Sequence, residues 1–463
     1  MTNPGFPPSL WHFTTCHRGG DFVFSHITRL PIDFITLRWS IIQHFLVILS
    51  AVYNKFLKMK KYFIGCAFLL LAGSSFAQKK DFGYKFYGQI RTDLFYNSRA
   101  NEETVDGLFY MYPKDEVLDE NGKDLNADGN SNFYTLYTRL GLDVQGPKLG
   151  GAKTSAKVEF DFRGSGSTLS VVRLRHAYLN LDWGKSALLV GQTWNPLYGD
   201  VAPQILNLNM GAPFQPFGRA PQIRYRYQEK NWQLTAAAVW QSQYLSQGPN
   251  GKSNKYIKNS CIPELYLGVD YKDPRWLVGA GIEMISLVPR TEATVNDKKT
   301  YKVDERVTSL SYEVHMKYKS EKWLVAAKSV LGSNLTHTSM LGGYGVKSIN
   351  TQTGEQDYSP NRNTSSWLNI CYGQKWKPAV FFGYMKNLGT SDAVSKMYGT
   401  GTDVDQLVSA SAELTYNVPH WKLGVEYNFC SAWYGSMNPS NGKIVDTHSV
   451  NNSRIVATAL FQF

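Results

Sequence analysis

The chain has 463 residues, 43% hydrophobic and 14% aromatic, with 39 glycines and a formal net charge of +12. From residue 78 on, no run approaches the roughly 18 apolar residues of a membrane helix, so any membrane crossing must be made by strands. The 7 basic and 2 acidic residues of the first 77 leave 42 against 35 in the remainder, dispersed without a nucleic-acid-binding module, and Cys261, Cys371 and Cys430 lack the spacing of a disulfide framework or zinc site.

Residues 1–58 carry no repeat or motif and precede a complete secretion signal. They read as an upstream extension ahead of the true start, a noncleaved anchor being the alternative. Residues 59–77 follow the signal-peptide pattern: basic Met59-Lys60-Lys61, the apolar run Tyr62 to Ala72, then the small-residue site Gly73-Ser74-Ser75-Phe76-Ala77. The remaining 386 residues, 78–463, are too long for one compact soluble core and show no linker. A closed barrel reconciles the two, because its length grows with strand number and not with core volume.

Period-two alternation runs through this region. Ser311, Glu313, His315 and Lys317 interleave with Leu310, Tyr312, Val314 and Met316, and Ser409, Ser411, Glu413 and Thr415 with Ala410, Ala412 and Leu414. The predicted fold is all-β, a transmembrane antiparallel β-barrel of about sixteen strands. They begin near residues 84, 133, 152, 170, 185, 221, 231, 262, 275, 306, 322, 366, 377, 406, 419 and 451. Very short turns alternate with long polar loops, the asymmetry of periplasmic and outer ends, and a barrel of this size encloses an aqueous channel. Trp183, Trp232, Trp276, Trp323, Trp376 and Trp421 recur beside successive short turns, as a periplasmic girdle requires.

Arg91, Arg139, Arg224 and Arg226 alternate with apolar neighbours and are expected to line the lumen. Arg173 and Arg175 share a face that Leu179 and Leu181 continue, which calls for a bulge or a local reversal between the two pairs. Two roles are open for these arginines: a ladder that selects anions, or partners of nearby carboxylates that stiffen the wall. The loop 97–132 contains Asp124, Asn126, Asp128 and Asn130 around Gly129, the first half of a calcium loop, but Thr135 stands where the bidentate Glu belongs. A structural calcium there is the one cofactor expected.

Loop 195–220 is too proline-rich for a strand and too apolar for a solvated tip. It is predicted to fold inward as a constriction, bringing Arg219 toward Arg224 and Arg226; the alternative seats Leu206, Leu208, Met210, Phe214 and Phe217 against a neighbouring subunit. The final run, Ile455 to Phe463, places Ile455, Ala457, Ala459, Phe461 and Phe463 on the lipid side and Arg454, Thr458 and Gln462 toward water. Phe461 and Phe463 resemble the C-terminal signal by which the barrel-assembly machinery of Gram-negative bacteria recognises its clients. The outer membrane, with its lipid and lipopolysaccharide, is therefore the expected location.

The stretch Arg173-Leu174-Arg175-His176-Ala177-Tyr178-Leu179, with Gly191-Gln192-Thr193-Trp194 after it, resembles the DcaP-like porins. So do Tyr87-Gly88-Gln89-Ile90-Arg91 and Arg139-Leu140-Gly141-Leu142. The resemblance is best over the first third of residues 78–463. It implies a homotrimeric sixteen-stranded porin for small anionic or neutral solutes, dicarboxylates among them. Rival classes fit less well. A barrel hydrolase needs a nucleophile or carboxylate set with histidine on adjoining strands, and there is no GxSxG; a plugged transporter needs a plug ahead of the first strand; an adhesin or structural barrel is the main alternative.

Overall fold

The structure is a computed structural model that describes residues 82–463 apart from residues 105, 165–169 and 297. The expected extension (1–58) and signal peptide (59–77) lie outside the described residues. Sixteen antiparallel strands form one closed barrel. Gly83–Asn97 pairs with Arg139–Leu149 on one side and with Ile444–Gln462 on the other, with Gln89 opposite Gln462 and Asn97 opposite Arg454. A closed ring leaves no unpaired edge, the condition for strands to cross a bilayer.

The barrel strands begin at residues 83, 139, 152, 173, 186, 219, 232, 264, 276, 307, 323, 356, 376, 404, 421 and 444. Only the second, twelfth and sixteenth depart from expectation by more than three residues. The second is broken: Asn130–Tyr134 pairs with Asp93–Asn97, and the ladder resumes at Arg139. Gln356–Tyr372 and Ile444–Gln462 reach further than expected, into segments read as loops. Residues 356–361 pair with Gly342–Ile349, which pairs in turn with Lys396–Thr400. These extensions carry polar residues on both faces, such as Gln356, Asp357 and Ser359, or Asp446, Thr447 and His448, so the alternation that marks a lipid-facing strand is missing from them.

The expected bulge is present. His176 pairs with Glu159 and Leu174 with Phe160, so Arg175 is the extra residue. The extra residue switches the side to which the following ones point: Arg175 and His176 are both buried, and Leu179 is exposed.

Outward positions are apolar and exposed, among them Leu267, Val314, Val380, Val425 and Ile455. Five strands open on tryptophan, and each ring meets an aromatic ring directly across the ladder. The pairs are Trp232 with Tyr271, Trp276 with Tyr318, Trp323 with Tyr372, Trp376 with Tyr416 and Trp421 with Phe461. Their ring centroids lie 5.4, 4.7, 4.7, 4.9 and 4.9 Å apart. Inward positions are small or polar, and the largest buried apolar cluster lies inside the barrel. It joins Phe214 and Val201 of the loop to Trp367, Phe381, Leu407 and Cys430 of the wall.

Candidate functional site

Residues 195–218 connect Ser186–Trp194 to Arg219–Glu229 and turn into the lumen, as their apolar, proline-rich sequence predicts. Leu206, Leu208 and Phe214 are buried against the chain's own wall and Phe217 against Phe109, Trp194 and Tyr244, so the alternative of a subunit contact is set aside for them. Three wall acceptors take amides of the crossing segment. Asn369 Oδ1 accepts from Gln204 N at 2.8 Å, Glu413 Oε2 from Leu206 N at 2.7 Å, and Glu426 Oε2 from Asn207 N at 2.7 Å. Glu413 and Glu426 face one another across the ladder, a like-charge pairing that costs energy unless the carboxylates have work elsewhere; these two cap backbone N–H groups. From the first strand Arg91 donates to Leu206 O at 2.6 Å, and Lys328 donates to Leu197 O and Tyr198 O at 2.6 and 3.0 Å. The segment is thus tied to both sides of the barrel.

Two glycines set how closely it approaches. A Cβ on Gly383 would lie 2.6 Å from Phe214 Cγ, and one on Gly424 would lie 2.7 Å from Leu206 Cδ1. Inward glycine therefore serves as a socket for a loop side chain.

The arginines of the early strands are paired. Arg91 binds Asp93 at 2.7 Å, Arg173 binds Asp161 at 2.7 Å, and Arg175 bridges Glu159 at 2.6 Å and Asp161 at 2.9 Å. Arg139 lies 3.6 Å from Glu159. Arg91, Arg139 and Arg175 also surround the Tyr137 ring, together with Arg163, which the alternation did not single out. Of the two roles left open, partnership with carboxylates is the arrangement seen at these four positions.

Arg219 is fully buried over the Trp194 ring, 4.6 Å from its centroid, and donates to Tyr244 Oη at 2.9 Å. It shares that hydroxyl with Arg173, which reaches it at 3.5 Å, so its charged neighbour is Arg173, where Arg224 and Arg226 were expected. Arg224 donates to Gln222 Oε1 and to Trp194 O. Arg226 lies 3.5 Å from Asp200, which Lys272 also meets at 2.9 Å. Burial alone would raise the Asp200 carboxyl, but Arg226 and Lys272 outweigh it and hold the group below the usual carboxylate range.

Two cavities open at the short-turn end. One, about 430 Å³, is lined by Lys317, Lys319, Lys322 and Lys377 with Glu321 the sole carboxylate, and Gln204 of the crossing segment borders it. The other, about 280 Å³, is lined by Lys185, Arg224 and Arg226 with Asp182. The positive surface thus lies mainly on lysines absent from the arginine ladder of the sequence reading. Alternation had placed Lys317 toward the lumen, but the missing cue was which cations keep carboxylate partners.

The calcium-like loop is arranged differently from a cation cage. Asp124 Oδ2 accepts from Arg99 at 3.0 Å, and its Oδ1 accepts from Val117 N and Asn126 N. The Asn126 amide donates to Asp115 O, the Asn130 Oδ1 accepts from Asn97, and Asp128 is exposed. The cation that Asp124 meets is a guanidinium. At the other end of the chain, Phe461 packs at a tilt against Trp421, while Phe463 exchanges backbone hydrogen bonds with Gly88 at 3.0 and 3.1 Å.

A family model described as DcaP outer membrane protein matches residues 75–304. Among solved structures, the chain is similar to the outer membrane channel DcaP of Acinetobacter baumannii, with 20% identity over 84% of this chain and 99% of that one and a TM-score of 0.62. It is also similar to the in-vitro folded outer membrane protein OmpT of Vibrio cholerae, with 14% identity over 84% and 100% and a TM-score of 0.51. None of the curated proteins matches the sequence.

Proposed function

The chain belongs to the DcaP outer membrane protein family, and from that premise we propose that it is a passive outer-membrane diffusion channel for small hydrophilic solutes that favours anions, dicarboxylates among them. The observation that carries the anion preference is the charge of the short-turn vestibules. Four lysines stand against one glutamate in the larger cavity, whereas in the smaller one Lys185 and Arg226 are met by Glu229 and Asp200 and, among the described residues, only Arg224 has no carboxylate partner. In a narrow, low-dielectric passage such an excess concentrates anions and raises the barrier to cations. The loop across the lumen narrows the path, so that a permeating solute passes within reach of these charges.

The apolar outer band supports contact with lipid and lipopolysaccharide, and the strand ending in Phe461 and Phe463 supports delivery by the barrel-assembly machinery. Assembly as a homotrimer follows the resemblance to trimeric porins. Reconstitution into planar bilayers tests the reading. A conducting channel with a reversal potential of anion sign in a salt gradient is expected, with steps in groups of three for a trimer. Cation-selective conductance would overturn the anion preference, and the absence of conductance would favour an adhesin.

A further inference from the structure

We infer that Glu264, Glu283 and His337 form a binding site for one divalent first-row transition ion, with zinc-like four-coordinate geometry, at the joint between the barrel wall and the inward loop. Glu264 opens the strand Glu264–Lys272, Glu283 lies near the end of Trp276–Leu287, and His337 sits in the turn Thr336–Thr338. All three are almost wholly buried, between 1% and 3% exposed.

Three features set this cluster apart from an ordinary ion pair. The first is geometry. Nε2 of His337 lies 3.3 Å from Glu264 Oε2 and 3.5 Å from Glu283 Oε1, and one ligand atom from each residue can be chosen so that all lie within 4.8 Å of one another. Ligand atoms about 2.0–2.2 Å from a tetrahedral ion are separated by roughly 3.3–3.6 Å, which matches the two measured spacings. The second is unmet bonding capacity. Both carboxylate oxygens of Glu283 and both ring nitrogens of His337 are buried without a hydrogen-bond partner, whereas Glu264 is held on its other side by Gln241 at 2.8 Å. Buried polar atoms are normally satisfied, so the unpartnered Glu283 carboxylate facing His337 Nε2 marks a missing partner there, while Nδ1, on the other edge of the ring, is not met by the same ion. The third is charge. Among the described residues no lysine or arginine lies within ion-pair distance of Glu264 or Glu283. Two buried carboxylates then carry more negative charge than one imidazolium could cancel, and a dication cancels it fully.

The donor set selects the metal class. Imidazole with two carboxylates suits zinc and its first-row neighbours better than calcium or magnesium, which favour oxygen alone. The site also has a mechanical consequence. Asn195, at one end of the inward loop, donates to Glu264 Oε2 at 3.5 Å, and Phe217, at its other end, donates its N–H to Thr338 O at 2.6 Å, one residue from His337. A metal here staples both ends of that loop to the wall.

The test uses the full protein, extracted in detergent, treated with chelator, desalted and then titrated with Zn²⁺ alone. A single saturable site is expected, with a higher unfolding temperature when filled. Glu283→Gln and His337→Asn each remove a ligand and should weaken binding by more than the roughly 10–100-fold that loss of an outer-shell partner costs, abolishing the metal-dependent shift. Zinc-edge X-ray absorption on the wild-type protein should show one imidazole among oxygen donors, and this readout does not depend on either variant folding. Absence of a saturable site would overturn the proposal. So would zinc held equally by both variants, as at the exposed His448–Asp115 pair, or a shell of several imidazoles or sulfurs.

Discussion

At the scale of single residues, the strands record direction but not purpose. Alternation places Glu413, Glu426, Arg454 and Thr458 toward the lumen, and all four point there. What it cannot carry is that Glu413 and Glu426 hold two successive amides of a segment some 200 residues earlier, because nothing local encodes a partner across the barrel. The same holds for Gly383 and Gly424, whose missing side chains make sense only once Phe214 and Leu206 are seated on them. A prediction follows for the carboxylate pair. Replacing both Glu413 and Glu426 by Ala strips the acceptors from Leu206 N and Asn207 N, at about 1.5–3 kcal/mol for each charge-assisted bond. Single-channel recordings should show a larger and noisier open current as the segment loosens. A current identical to wild type would mean that the segment is held by other contacts or does not limit flow.

At the scale of elements, legibility tracks the environment of each strand. Where one face meets lipid and the other the lumen, hydropathy alternates and the expected starts agree closely with the observed ones. Beyond the bilayer both faces are polar, and the extensions of Gln356–Tyr372 and Ile444–Gln462 look like loops although they are well paired. The bulge at Arg175 was legible because Leu179 demanded a change of face; the break before Arg139 was not, because Thr135 to Thr138 neither interrupts polarity nor introduces proline. The tryptophans were legible as a recurrence, but their cross-strand partners required the register. Each rung should act as a unit. Trp376→Ala and Tyr416→Ala are expected to couple in a double-mutant cycle by about 0.5–1.5 kcal/mol, read from unfolding in detergent or lipid. Strict additivity would show that the two rings serve the interface with lipid separately.

At the scale of the whole molecule, the barrel sorts its cations into two populations that composition cannot separate. Arg91, Arg173 and Arg175 are locked to Asp93, Asp161 and Glu159, with Arg139 sharing Glu159, so their charge is partly offset where it stands and they contribute rigidity. Lys317 and Lys377 line an open cavity and meet the crossing segment, at Asp200 O and Gln204 Oε1 respectively, neither of which cancels their charge. If the vestibule sets selectivity, Lys317→Glu with Lys377→Glu reverses two charges beside the path and should drive the reversal potential toward cations. Arg173→Gln removes a charge whose field Asp161 offsets in part; it should leave the sign of selectivity intact while lowering stability, because buried Asp161 loses its bidentate partner and keeps only Arg175 and the Arg163 amide. The two variants therefore separate the roles. Should Arg173→Gln move the reversal potential as far as the double lysine change does, the early arginines would be part of the filter, and the ladder expected from alternation would be restored as a selecting device.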